Sequence, residues 1–406
     1  MTIRIEPTDV AVADALEGRP HTAWISSELT LAGFGQRLRL DPGAGPGRFE
    51  RARWMFAEWV ADQGPILSDG PGPGGPYAFA SFTFDEESSP SVVVVPEVVF
   101  AFAGGKSWLV RHGPADKTRE LLRWGEATPG HPGAHRDRPR FAGSSLPDHL
   151  WLEAVARAIK EIESDKLEKV VLARDHALWS KEPFDLHRVL SRLHLAFPEC
   201  MVYLVDGLVG ASPELLIRRI GNAVNSLALA GSARRDPDPR ADERLGEELL
   251  VSPKDLHEHA LASASVGRVL GEVCSSLDRP PRPGLLKLAN VQHLATRFAG
   301  VMAEPHHVLD LVARLHPTAA VGGTPTLAAV DMIRSLEGMD RGRYAGPVGI
   351  FDPAGDGEFA IALRCAEVSG ARARLFAGAG LVHGSVPEDE LEETRIKLQA
   401  MLSALE

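Results

Sequence analysis

Carboxylates at helical spacing and a few cations in apolar surroundings carry whatever chemistry this chain performs. Asp255 and Glu258 lie three apart in Lys254-Asp255-Leu256-His257-Glu258-His259, and Glu390, Glu393 and Lys397 follow near the C-terminus at i, i+3 and i+7. Side chains three and four apart share one helix face. Taken alone, either stripe is also what a solvated, ion-paired face looks like, and such pairs contribute little. Facing one cleft, the two helices would supply four carboxylates. That makes an oxygen-rich site suited to Mg2+, which keeps several waters, takes one or two protein carboxylates and bridges to an anionic substrate.

Lys169 opens the apolar run Lys169-Val170-Val171-Leu172-Ala173. An edge-strand lysine would snorkel its head to water; one held out of water could instead act as a general base. Glu214 follows Ala211-Ser212-Pro213 at the start of a strand and reads either as a turn carboxylate or as a buried general acid. A lysine base and a carboxylic acid facing each other across a ring suit the exchange of one oxygen substituent for another. Arg364 lies in the apolar run that begins at Phe359. A cation there is costly unless paired, so it calls for a carboxylate from the protein or from a ligand. Gly378 and Gly380 permit close backbone approach, although Gly-X-Gly is common in turns. His316, before Pro317, reads by residue type as structural.

Strands and helices must bring these residues together. Residues 1–126 read as a strand-rich part: His21–Leu31, Tyr77–Phe84, Ser91–Phe102 and Ser107–Arg111 are β-rich runs, with a short helix over Arg53–Trp59. They predict an antiparallel sheet of sequential neighbours. Residues 127–148, rich in Pro, Gly, His and Arg, read as a loop or linker, and residues 149–406 as the part carrying the charged motifs. There His149–Ile162 has helical apolar spacing, and Leu186–Phe197, Val308–Leu315 and Leu327–Leu336 are helical. Met201–Val205, Glu214–Ile220 and Val224–Leu229 form a meander, and Asp236–Arg240 a turn. Ser252 and Pro253 suit the cap and first turn of a long helix reaching about Ser275.

The chain as a whole limits the possibilities. Its 406 residues, 44% hydrophobic and 24% charged, are ordinary for a globular protein. A net charge of −11 disfavours non-specific nucleic-acid binding but leaves room for a small anionic substrate held by local cations. Cys200, Cys274 and Cys365 are widely separated and odd in number, so they read as core thiols. The first residues show no apolar signal-peptide core and no run is long enough to span a bilayer, so a cytoplasmic location is expected. No exposed heptad or long apolar stripe asks for a partner, and a monomer is expected.

Many ordered segments together resemble the chorismate-utilising enzymes. These include isochorismate synthase, salicylate synthase, the large subunit of anthranilate synthase and aminodeoxychorismate synthase. The segments are Lys169-Val170-Val171-Leu172-Ala173-Arg174, Ala211-Ser212-Pro213-Glu214, Leu229-Ala230-Gly231-Ser232-Ala233-Arg234-Arg235, Lys254 to His259, Leu315-His316-Pro317-Thr318, Phe376-Ala377-Gly378-Ala379-Gly380, and Glu393-Thr394 with Lys397. They cover roughly residues 151–402; the N-terminal part does not match by motif. The resemblance implies a single large α+β domain over 1–406, two packed antiparallel sheets flanked by helices. It also implies Mg2+ held by Glu258 and Glu393 with Asp255 and Glu390 nearby. Lys169 then looks like the base that activates water for attack at C2 of chorismate, and Glu214 like the acid that protonates the departing C4 hydroxyl. Arg364, Lys397 and the backbone at Gly378 look like the grips on the substrate's carboxylates, with Ala320, His316, Gly231 and Ser232 beside it.

Within that family the pattern resembles the isochorismate synthases. Ala230 stands where aminodeoxychorismate synthases of the common type carry a nucleophilic lysine. Ala320, followed by Val321, stands where amine-adding enzymes and salicylate synthases tend to have Thr, and Gly231-Ser232 replaces Gly-Thr. A salicylate synthase would release pyruvate, and an anthranilate synthase subunit would need ammonia. A non-catalytic dicarboxylate-binding subunit would leave chorismate unchanged.

Overall fold

A computed structural model of the chain describes residues 2–70, 72, 74–113 and 138–406. It is α+β, with a thirteen-stranded and a ten-stranded sheet packed together and helices around them. One apolar core joins them: Trp24, Leu31 and Val99 of the larger sheet cluster with Phe79, Val348 and Phe359 of the smaller. Strand pairing is antiparallel in both, apart from the parallel pair Ile3–Pro7 with Ile66–Ser68.

The N-terminal strands were expected to make an antiparallel sheet of sequential neighbours, but they are divided between the two sheets. Thr22–Ile25, Thr30–Phe34, Val98–Ala103 and Lys106–His112 extend the larger sheet, which continues at Ile25 opposite Val202 of Met201–Val205. Ala78–Ser81 and Val92–Val95 extend the smaller one, joined at Ser81 opposite Val348 of Pro347–Phe351. A β-branched run such as Val92–Val95 specifies a strand buried on both faces and carries no signal for which strand pairs with it. Both sheets thus draw strands from either side of the 127–148 stretch. Residues 127–137 of that stretch lie outside the described residues, and Arg140–Gly143 is a strand paired with the end of Lys169–Trp179.

The helices run close to their sequence signals. Ser252 accepts from the Asp255 N–H and opens Pro253–Val273; the chain then turns into the strand Cys274–Asp278. Val308–Leu315 is a helix as expected, and Thr326–Leu336 and Asp148–Glu163 each begin one residue early. The helix Pro239–Val251, where only a turn was expected, has Asp238 as its cap and Pro239 in its first turn. Those are start signals, and its sparse apolar positions hid what followed.

Lys169–Trp179 is the strand on which the site depends. Along one edge it pairs over ten residues with Arg372–Leu381. On the other edge Thr324 and Gly323 pair with Lys169 and Val170, and Arg140–Gly143 pairs at the far end. In the gap between them, side chains take the place of a strand. Arg341 Nη2 donates to the Val171 carbonyl (2.8 Å), Glu337 Oε1 accepts from the Ala173 N–H (2.7 Å), and Trp151 Nε1 donates to the Ala173 carbonyl (3.1 Å). Arg341 and Glu337 are a fully buried ion pair, and Arg341 Nη1 also holds the Val321 carbonyl at 2.8 Å. Removing one partner of such a pair strands a charge in the core. Glu337→Ala should therefore cost about 3–5 kcal/mol, read from the denaturant midpoint; a loss under about 1 kcal/mol would show that the edge holds without it.

Candidate active site

The two sheets and two helices border one cavity. The wall takes Val171, Phe376, Gly378 and Gly380 from the larger sheet and Leu229 to Ser232 and His293 from the smaller. Glu258 enters from the Pro253–Val273 helix, Glu393 and Lys397 from Pro387–Leu405, and Glu214, Ala320, Val321, Tyr344 and Arg364 from connections. Helix stripes and strand ends far apart in sequence thus meet at one place.

Glycines shape it. The pairing of Ala223–Arg234 with Val291–Met302 slips between Ala230 and Ser232, leaving Gly231 in a bulge with φ of +72°. Only glycine takes that conformation without strain. The bulge turns Ser232 to hydrogen-bond Glu393. At Gly380 a β-carbon would lie 2.0 Å from Glu258 Oε1, so the carboxylate packs directly on the backbone. Lys397 Nζ donates to the Gly378 carbonyl at 2.9 Å. Tyr344 and Phe376 stack in parallel, centroids 4.9 Å apart, as an aromatic panel on the wall.

Glu214 is 3% exposed, with its carboxyl group enclosed by protein. Burial raises its pKa to about 8, against the opposing pull of Lys169, the Leu229 backbone and Lys397. It therefore keeps its proton at neutral pH, as a general acid must. Lys169 is wholly buried just behind the wall, its Nζ 3.0 Å from Glu258 Oε1 without the direction of a hydrogen bond.

Each inward carboxylate of the two helices has a lysine or hydroxyl partner. Glu393 meets Lys397 at 2.5 Å, and Glu390 meets Lys254 at 2.7 Å. Burial works against ionised Glu393, but Lys397, Ser232 and Lys254 together outweigh it and hold the pKa down. Burial and then the charge of Glu393 push Glu390 up, and burial raises Asp255 despite its bond to Ser252. Asp255 and Glu390, expected beside the metal, lie off the cavity wall: they sit nearer the helix N-termini, tied to Ser252 and Lys254. Among the described residues no three His, Cys, Asp or Glu side chains form a metal cage. The helix carboxylates on the wall are Glu258 and Glu393. That set fits a hard cation that takes two carboxylates and leaves its other positions to water and substrate.

Arg364 is 6% exposed and has φ of +45°. Its Nη2 lies 2.8 Å from His293 Nε2, and its Nη1 is buried with no partner among the described residues. No carboxylate among the described residues pairs with it, so the anion its position calls for is left to a ligand. His316, set by resemblance beside the substrate, is instead turned away: its Nε2 meets the Phe84 carbonyl at 2.9 Å and it takes no part in the wall. Its ring fills a slot between Phe49 and Phe84, the structural role its residue type indicated. His293 and Tyr344 were missed. A histidine inside an alternating strand and a tyrosine before a turn carry no signal for a cavity that forms only when the sheets meet.

The profile of the family described as "chorismate binding enzyme" matches residues 4–406. Isochorismate synthase MenF of Bacillus subtilis (strain 168) is 34% identical over 409 residues, covering 93% of this chain and 86% of that protein. In three dimensions, the menaquinone-specific isochorismate synthase MenF of Escherichia coli superposes with a TM-score of 0.81 at 26% identity, over 100% of this chain and 95% of that one. Anthranilate synthase component I of Streptococcus pneumoniae TIGR4 superposes with a TM-score of 0.75 at 20% identity, over 93% of each chain, and shares the fold.

Proposed function

The chain belongs to the chorismate-binding enzyme family, and from that premise we propose that it isomerises chorismate to isochorismate. The observation that carries the reading is Glu214. It is a carboxyl that keeps its proton at neutral pH, on the wall of a cavity that also presents a guanidinium donor without a partner. The relatives named as isochorismate synthases support it.

In this reaction Lys169, as the free amine, takes a proton from water, whose oxygen adds to C2 of the ring. The ring double bonds shift, and the C4 hydroxyl leaves as water with the proton of Glu214. Arg364 and Lys397 hold the substrate's carboxylates, with Gly231, Ser232, Gly378 and Ala320 shaping the wall beside the ring. Glu258 and Glu393 would hold Mg2+, which when bound neutralises substrate carboxylate charge. Lys169 reaches the water by leaving Glu258, its contact in this structure. Ala230 and Ala320 themselves bring neither a lysine nucleophile nor a threonine hydroxyl to the wall. Every group named comes from one chain, in keeping with a monomer, and we place the reaction in the cytoplasm.

The test is to incubate the protein with chorismate and Mg2+, with and without ammonia, and follow products by proton NMR. A mixture of chorismate and isochorismate without pyruvate is expected. Pyruvate with salicylate, or an aminated product, would replace this reading. In the same assay Glu258→Ala or Glu393→Ala should raise the Mg2+ needed for half-maximal rate by about tenfold or more; an unchanged titration would move the ligands elsewhere.

A further inference from the structure

Arg364 has to present one face of its guanidinium to the cavity, yet its own backbone does little to fix that orientation. It follows the strand Gly357–Ile361 at φ of +45°, a left-handed conformation rare for a side-chain-bearing residue. The Ala211 N–H donates to its carbonyl at 3.2 Å. Beyond the backbone, the side chain has one polar contact among the described residues, His293 Nε2 at 2.8 Å. A guanidinium can only donate, so that nitrogen accepts and the ring proton sits on Nδ1. The Gly231 backbone takes a hydrogen bond from the same ring. A chain of bonds therefore runs from the bulge at Gly231 through a neutral imidazole to Arg364, and ends at an Nη1 buried without a partner. Burial, then Arg364 and Lys397, hold the imidazole neutral.

We propose that His293 is a positioning residue, a fixed acceptor that occupies Nη2 of Arg364 and thereby turns Nη1 toward the substrate carboxylate. The assignment rests on the reading of the site given above and adds the residue that orients its anion grip. Without the acceptor the guanidinium holds two orphan donors and no fixed direction. The loss then falls on binding of the anion rather than on the acid and base.

The experiment compares the wild type, His293→Leu, His293→Gln, Arg364→Gln and the His293→Leu/Arg364→Gln double variant. It reads steady-state kinetics on chorismate, and calorimetric titration with chorismate and with isophthalate, an inert ring dicarboxylate. His293→Leu should raise KM and both dissociation constants about tenfold or more, with kcat within about threefold, the scale of one charge-assisted hydrogen bond. His293→Gln, whose amide oxygen can accept from Arg364, should recover most of the loss. The double variant should be no worse than Arg364→Gln alone. Should His293→Leu not fold, His293→Phe fills the ring's volume without the acceptor and takes its place. Unchanged binding in the acceptor-free variant would overturn the proposal, and so would losses that multiply in the double variant, which would mean that His293 acts on the ligand directly. A wild type that binds chorismate without isomerising it would sink the proposed reaction, while the two titrations would still decide the role of His293.

Discussion

Lys169→Ala is expected to abolish chorismate turnover, lowering kcat by about 10^2–10^4-fold, while chorismate still binds. Lys169 is entirely buried, and its Nζ touches Glu258 and, among the described residues, no hydroxyl or carbonyl in hydrogen-bond geometry. A purely structural lysine at such a depth would be expected to have its donors used, because each unmet donor is costly. Its head instead stands beside a β-carbon-free position, Gly380, whose added methyl would meet both Glu258 and Lys169. The substrate grips are other residues, Arg364 and Lys397, so binding should survive the truncation. The competing account is an ion pair that merely neutralises Glu258. Under it, Lys169→Ala would weaken binding or folding and leave kcat on the bound substrate intact. Calorimetric titration with chorismate, beside kcat under saturation, separates the two, and full activity in the variant would remove Lys169 from the chemistry.

Much of this site could be read before any fold was known, because its helices announce themselves. Ser252-Pro253 gives a start, and Asp255, Glu258, Glu390, Glu393 and Lys397 fall at spacings that place them on helix faces. Arg364 drew attention by its charge in an apolar run, and Glu214 by its place after Ser212-Pro213. Which carboxylates reach the cavity was not legible from spacing; only the resemblance set Glu258 and Glu393 apart from Asp255 and Glu390. Spacing fixes a face but not the point along the helix at which the cavity lies, so Asp255 and Glu390 fell to Ser252 and Lys254 while Glu258 and Glu393 took the wall. The N-terminal strands were legible as strands but not in their pairing, since the bonds from Ile25 to Val202 and from Ser81 to Val348 join residues far apart in sequence. In sequence the Arg341–Glu337 pair has the i, i+4 spacing of an ordinary surface pair. Its role as a stand-in for a missing strand exists only once Lys169–Trp179 has lost a partner on that edge.

Glu214→Gln isolates the acid and makes the second large change. The amide keeps the size of the side chain and cannot give up a proton as a carboxyl does, so kcat should fall by about 10^2–10^4-fold with KM little changed. The wild type should also show a basic limb in its rate profile. With a pKa of about 8, Glu214 is protonated and competent below that value, and the rate should fall as pH rises through it. Stability moves with the same proton. The folded carboxyl binds its proton more tightly than the unfolded one, whose value is near 4.5, so its contribution is whole below about 4.5. That contribution is lost as pH climbs toward about 8, because the unfolded chain releases its proton first while the buried carboxyl must still hold or surrender its own. Glu214→Gln should flatten that part of the stability curve as well as the rate profile. A variant that keeps a rate limb near pH 8, or an unaltered dependence of the denaturant midpoint on pH, would assign the titrating acid to another residue. Both measurements read one side chain through independent quantities. Agreement between them would tie the burial of Glu214 to its work as a proton donor, since the low-polarity setting that costs stability at high pH is what keeps the proton available at neutral pH.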